Sequence, residues 1–173
     1  MNADRSRWLW QGLIAGLIGY AAVAIYLAVG SLMAGRSPFY TAALMGGALF
    51  YGVRDLAGVA VAAGPVFAYN GLHLIVFLML GFMAAWLAQF AERGPHLWYV
   101  GVTFYIFVSF HLFGATFMLP GPLREAMLNW GTLGAGIVGS IAMAAFLIGV
   151  HPLLRAEMRD FAAQDPDLID LKR

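Results

Sequence analysis

Four long apolar stretches, almost free of charge, constrain this chain more than any other feature: Trp8 to Met33, Ala68 to Phe90, Leu97 to Leu119, and Trp130 to Val150. A helix rises about 1.5 Å per residue, so about 20 apolar residues cross the roughly 30 Å hydrocarbon core of a bilayer. Each stretch is long enough. The expected fold class is all-α, an integral membrane four-helix bundle. Composition agrees: 62% of residues are hydrophobic and 11% charged, against about 25% charged in a typical soluble domain.

Residues 1–152 are expected to form the four-span transmembrane domain, and residues 153–173 a cytoplasmic amphipathic tail that frays around Asp165-Pro166-Asp167. Arg5 and Arg7 ahead of the first apolar run imitate a signal peptide. A signal-peptide core is only about 7–15 residues, and the run from Trp8 to Met33 is much longer, so it reads as a first span.

Charge sets the expected orientation. With both termini in the cytoplasm, that side holds seven basic residues: Arg5, Arg7, Arg93, Arg155, Arg159, Lys172 and Arg173. The opposite side holds three, Arg36, Arg54 and Arg124. The positive-inside rule favours this arrangement, in what reads as a bacterial-type inner membrane.

The connection from Gly35 to Phe67 contains a second, shorter apolar run, Phe39 to Val53, introduced by Ser37-Pro38. Serine can cap a helix, and proline suits its first position. The shortness of the run predicts an interfacial or re-entrant helix between spans 1 and 2. The competing reading, a fifth span, would carry the C-terminal basic cluster across the membrane and leave Arg54-Asp55 in lipid. Gly64-Pro65 is expected to break the chain before span 2, and Pro120-Gly121-Pro122 to stop span 3.

Small residues mark two helical faces. Gly12, Gly16 and Gly19 lie on span 1; Gly131, Ala135 and Gly139 lie on span 4. Such stripes allow close backbone approach in lipid, and the simplest expectation is that spans 1 and 4 pack on each other. Docking to another subunit is the alternative for one of the stripes. Trp8, Trp10, Trp98, Tyr99 and Trp130 sit near span ends, where amphipathic rings anchor at the headgroups.

The lead to chemistry is a pair of intramembrane histidines, since ionisable residues are costly in lipid. His73 lies 17 residues before Phe90 and His111 lies 14 after Leu97. Across an antiparallel hairpin the two depths differ by roughly 4–5 Å. Two histidines at matched depth could ligate a haem b iron axially. Gly114, Ala115 and Ala84 would leave room for a porphyrin, and Phe77, Phe104 and Phe107 could flank it. Arg36, Arg54 and Arg124 would meet the propionates, because the guanidinium fork suits a carboxylate. The alternative is ordinary interhelical hydrogen bonding, with Asn70, Ser109 and Thr116 as available partners. His96 and His151, at the cytoplasmic boundary, read as interfacial. In outline, four spans with paired intramembrane histidines resemble membrane b-type cytochromes; no stretch carries a family motif, and no residue role is carried over.

Several chemistries find no support. The chain has no cysteine, which removes disulfides, thiolate metal sites, iron–sulfur clusters and covalent c-type haem. No metal is expected beyond a haem iron. It has no H-E-x-x-H, no P-loop, and no carboxylate inside a span for a proton relay. The net charge of +1 does not suggest nucleic acid. The expected function is an accessory or scaffold subunit of a larger membrane complex, without activity of its own. Its partners would be the lipid bilayer and other membrane subunits or a homo-oligomer. A haem b electron-transfer subunit is the first alternative, and a small oligomeric channel or transporter the second.

Overall fold

The computed structural model describes residues 2–92, 101–103, 105–106, 109, 114, 117, 119, 121–127 and 130–164. The described residues include the helices α1 (Asn2–Met33), α2 (Tyr40–Phe50), α3 (Ala63–Ala91), α4 (Gly121–Met127), α5 (Trp130–Val150) and α6 (Pro152–Gln164). No strand occurs among the described residues. Three segments, Arg7–Met33, Ala63–Ala91 and Leu133–Val150, are long and apolar enough to cross a membrane. The third expected span, Leu97 to Leu119, lies mostly outside the described residues.

Glycine decides how α1 meets its neighbours. A Cβ added to Gly16 would lie 2.7 Å from the carbonyl oxygen of Phe77 and 2.9 Å from the Cα of Leu78. A Cβ on Gly81 would strike the backbone of both Gly12 and Gly16. Gly12 and Gly16 therefore seat α1 directly against the backbone of α3, a neighbour the sequence did not assign to them, whereas Gly19 meets Met143 of span 4 as well as Phe77. The span 4 glycines do face α1: Gly139 receives Val23 and Gly134 receives Tyr26. Phe77, fully buried, stands where the three helices converge, with Ala15, Val23, Ala84, Ala85, Ala135 and Met143 in the same core.

The same contacts fix directions. Ascending positions on α1 meet descending positions on α3 and on α5. Helix α1 is thus antiparallel to both, and α3 and α5 run parallel to each other. The α1–α3 connection, which includes α2, begins and ends at one end of the bundle. There Leu44 and Met45 of α2 pack on Leu119, and Ser31 Oγ lies 3.0 Å from Thr41 Oγ1. At the opposite end Glu92 meets His151, and Leu154 of α6 is buried against Ala88 and Ala91.

Two turn expectations shift by a few residues. Pro38 lies in the turn before α2, the helix begins at Tyr40, and Ser37 Oγ accepts a hydrogen bond from the Phe39 N–H at 3.3 Å. Gly64-Pro65 does not break the chain; it sits in the first turn of α3, where a helix N–H has no intrahelical partner to lose. The eleven residues of α2 span roughly 16 Å at 1.5 Å each, about half a hydrocarbon core. Its two flanks each turn on a glycine with φ +70°, Gly35 and Gly52, a region in which other residues are strained.

Candidate functional site: a polar layer between α1 and α3

His73 lies ten residues into α3, and its side chain points into the bundle, 7% exposed. The spacing Tyr69, His73, Phe77 places three rings on one helical face, since residues four apart stack one above another. The His73 ring centroid lies 5.0 Å from Tyr69 and 4.8 Å from Phe77. Tyr20 of α1 closes a further side at 5.7 Å, nearly edge-on. Beyond the Gly12–Gly81–Gly16 crossing the two helices thus separate enough to hold aromatic and polar side chains between them.

Polar groups at this depth need partners, because leaving one unpaired in hydrocarbon costs on the order of 2–7 kcal/mol. The Tyr20 hydroxyl donates to Asn70 Oδ1 at 2.9 Å. Asn70 Nδ2 in turn donates to the Val66 carbonyl at 2.8 Å, one turn back on α3. This chain ties α1 to α3 across 50 residues of sequence. Asn70 was expected as a network member; Tyr20 and Tyr69 were not. The signal was present as the Tyr69-x-x-x-His73 spacing and as a tyrosine midway along span 1.

A chamber of about 220 Å³ adjoins this layer, enclosed by Tyr20, Pro38, Phe39, Thr41, Asn70 and His73 among others. Helix α2 forms its far wall. A wider cleft of about 640 Å³ shares Tyr20, Phe39 and Asn70 with it and continues along Val66, Phe67 and Leu74. A third, of about 550 Å³, lies between Tyr26, Ser31, Arg36 and Thr41.

The expected haem residues are distributed as follows. His111, Phe104, Phe107 and Ala115 lie outside the described residues. Arg36, Arg54 and Arg124 belong to the α2 end, as expected from topology. Arg36 stacks on the Tyr40 ring at 4.5 Å, Arg54 is exposed, and Arg124 donates to the Leu119 carbonyl at 3.2 Å. Ala84 is consumed by the helix core. As packed, His73 has rings on three sides, and its chamber is smaller than the roughly 300–1,000 Å³ of ligand pockets. A porphyrin face on His73 would need one of these rings to move.

At the other end, His151 is almost wholly buried, 1% exposed, and the Glu92 carboxylate approaches its Nδ1 to 2.9 Å. Arg7 of α1 donates to the Val150 carbonyl at 3.4 Å, and Arg155 of α6 donates to that of Gly149. Both cations meet the negative end of the α5 dipole. His151, expected at the boundary, sits at the end of α5 as a buried neighbour of Glu92.

No protein family, curated protein or solved structure matches this chain.

Proposed function

We propose that the chain is a four-span integral membrane protein, with both termini cytoplasmic, that serves as a non-catalytic accessory or scaffold subunit within a larger membrane assembly. The fourth span would be Leu97 to Leu119. Glu92 and Leu119 belong to opposite ends of the bundle, and α3 and α5 are parallel, which supports a span between them. Antiparallel α1 and α3 likewise leave α2 on one side, which favours the non-crossing helix over a fifth span. The bilayer orientation rests on the charge asymmetry.

The observation that carries the scaffold reading is the backbone crossing at Gly12, Gly16 and Gly81. It fixes α1 on α3 with no side chain between them. Alternating access requires one bundle element to rock against another, and a crossing of this kind opposes such motion. A static supporting role suits it better than a channel or transporter does. The test is the native size of the assembly: membranes extracted in the mildest detergent are resolved by native electrophoresis. The chain should migrate with a species much larger than its own 18.7 kDa plus detergent. Migration as a lone monomer under every mild extraction overturns the reading.

The haem b reading stands second, supported by the inward orientation of His73 and by the three arginines at its end of the bundle. It requires Tyr20 or Tyr69 to swing away from the imidazole. A reduced-minus-oxidised spectrum decides it: a Soret and α band lost in both His73→Ala and His111→Ala supports ligation.

A further inference from the structure

We infer that the chamber beside Asn70 and the cleft that continues it form a binding site for a lipophilic quinone: a neutral, flat, carbonyl-bearing ring with an apolar tail. Size, charge, hydrogen-bonding character and shape lead to the same class. At about 220 Å³ the chamber takes one substituted ring rather than a whole drug-sized molecule. Its lining contains no carboxylate, ammonium or guanidinium, so an ionic head would be stranded there without a counter-charge.

The polar atoms are unevenly used. Asn70 Oδ1 accepts from the Tyr20 hydroxyl. The carboxamide has two N–H donors, and one of them serves Val66, which leaves the second. The Tyr69 hydroxyl, also at the wall, makes no hydrogen bond to any described residue. The chamber therefore offers a guest two donors, the second Asn70 N–H and the Tyr69 O–H, and the two carbonyl oxygens of a quinone ring are acceptors for them.

The walls favour a flat guest. Tyr69, Tyr20 and Phe39 line the chamber, and aromatic faces and edges stack on planar rings with a gain beyond burial alone. The tail has a route out. Tyr20, Phe39 and Asn70 are common to the chamber and the 640 Å³ cleft. Beyond them the cleft is apolar and runs to Phe67, which is 75% exposed at the bundle surface. Under the proposed orientation that mouth opens on lipid. A ligand would enter sideways from the bilayer, ring first, with α2 above it. Binding is the whole of this inference; it is independent of what assembly the chain belongs to.

The test uses the full chain in lipid nanodiscs, titrated with a decyl-substituted benzoquinone and read by calorimetry, with empty nanodiscs as the baseline for partitioning. One saturable site per chain is expected. Asn70→Leu removes the donor and should weaken binding at least tenfold. Ala42→Phe, and independently Ala28→Leu, fill the chamber and should abolish the saturable component. Each filling variant is first shown to unfold at the parent's temperature, and Asn70→Leu, which also loses the Tyr20 tie, is shown to keep the parent's helix content; having two filling variants keeps the test decisive if one misfolds. Decanol, which shares the chain length but not the ring, should not compete. No saturable heat above empty nanodiscs, undiminished binding in the folded filling variants, or equal competition by decanol each overturns the inference.

Discussion

Helices α1 and α3 meet twice, in opposite ways. Toward the His151 end, Gly12, Gly16 and Gly81 bring the two backbones into contact, with no space for a single added carbon. Toward the α2 end, the same helices diverge around Tyr20, Tyr69, Asn70 and His73 and border a chamber. The difference shows how one helix pair can be both clamp and container. Close backbone packing supplies the association energy in lipid, where the hydrophobic effect between helices is absent. That frees the second half to hold polar side chains whose burial has to be offset by hydrogen bonds.

Breaking the clamp should have the largest effect. Gly81→Leu or Gly16→Leu forces side-chain atoms into backbone. Overpacking costs typically 1–3 kcal/mol, and contact with backbone rather than a flexible side chain puts these variants at about 3 kcal/mol or more. Unfolding in mixed detergent–SDS micelles measures it. If either variant unfolds at the parent's midpoint, the crossing is not the clamp.

The joint at the clamped end comes next. His151→Leu leaves the Glu92 carboxylate partly buried without its neighbour. The loss should be about 1–3 kcal/mol, the usual penalty for orphaning a buried polar group. Glu92→Gln keeps a polar partner and should lose less. Combining His151→Leu with Glu92→Leu should cost less than the sum of the single changes, since contacting residues couple. Strict additivity would show that the 2.9 Å approach contributes nothing.

In the container half, Tyr20→Phe removes only the donor to Asn70. A loss of about 1 kcal/mol is expected, with helix content by circular dichroism unchanged. A neutral result would mean that Asn70 finds another donor and that the α1–α3 tie is not specific. The smallest effect is expected at Gly30, late in α1, where an added Cβ meets nothing within 4 Å. Gly30→Ala should stabilise by about 0.5–1 kcal/mol through helix propensity alone. Destabilisation there would show that its open space is occupied in the membrane.

Much of this was legible in the sequence. Hydrophobic run length located α1, α3 and α5 to within about five residues, because the bilayer imposes a length that composition cannot evade. The short helix α2 was visible for the same reason. Which helix receives which glycine was not. Gly12 and Gly16 announce a close contact, but Gly81 has no second glycine one turn away, and only tertiary geometry shows it opposite them. His73 was identifiable as an inward polar residue from the cost of exposing it to lipid. Its companions were harder, because Tyr20 is contributed from 50 residues away. The burial of His151 at the span end was not legible, because a Pro152 after a span signals a stop rather than a cover.

The contact between Arg7 and the Val150 carbonyl joins positions 143 residues apart, and that separation has a consequence for biogenesis. Helix α1 is made first, yet half of its seat is α5. Ribosomes add about 5–20 residues per second, so the end of α5 follows the end of α3 by roughly 3–12 s. Throughout that interval the α1–α3 hairpin sits in the membrane with the Val23 and Tyr26 side of α1 waiting for Gly139 and Gly134. A nascent chain stalled before α5 therefore leaves that face of α1 without the helix it packs against.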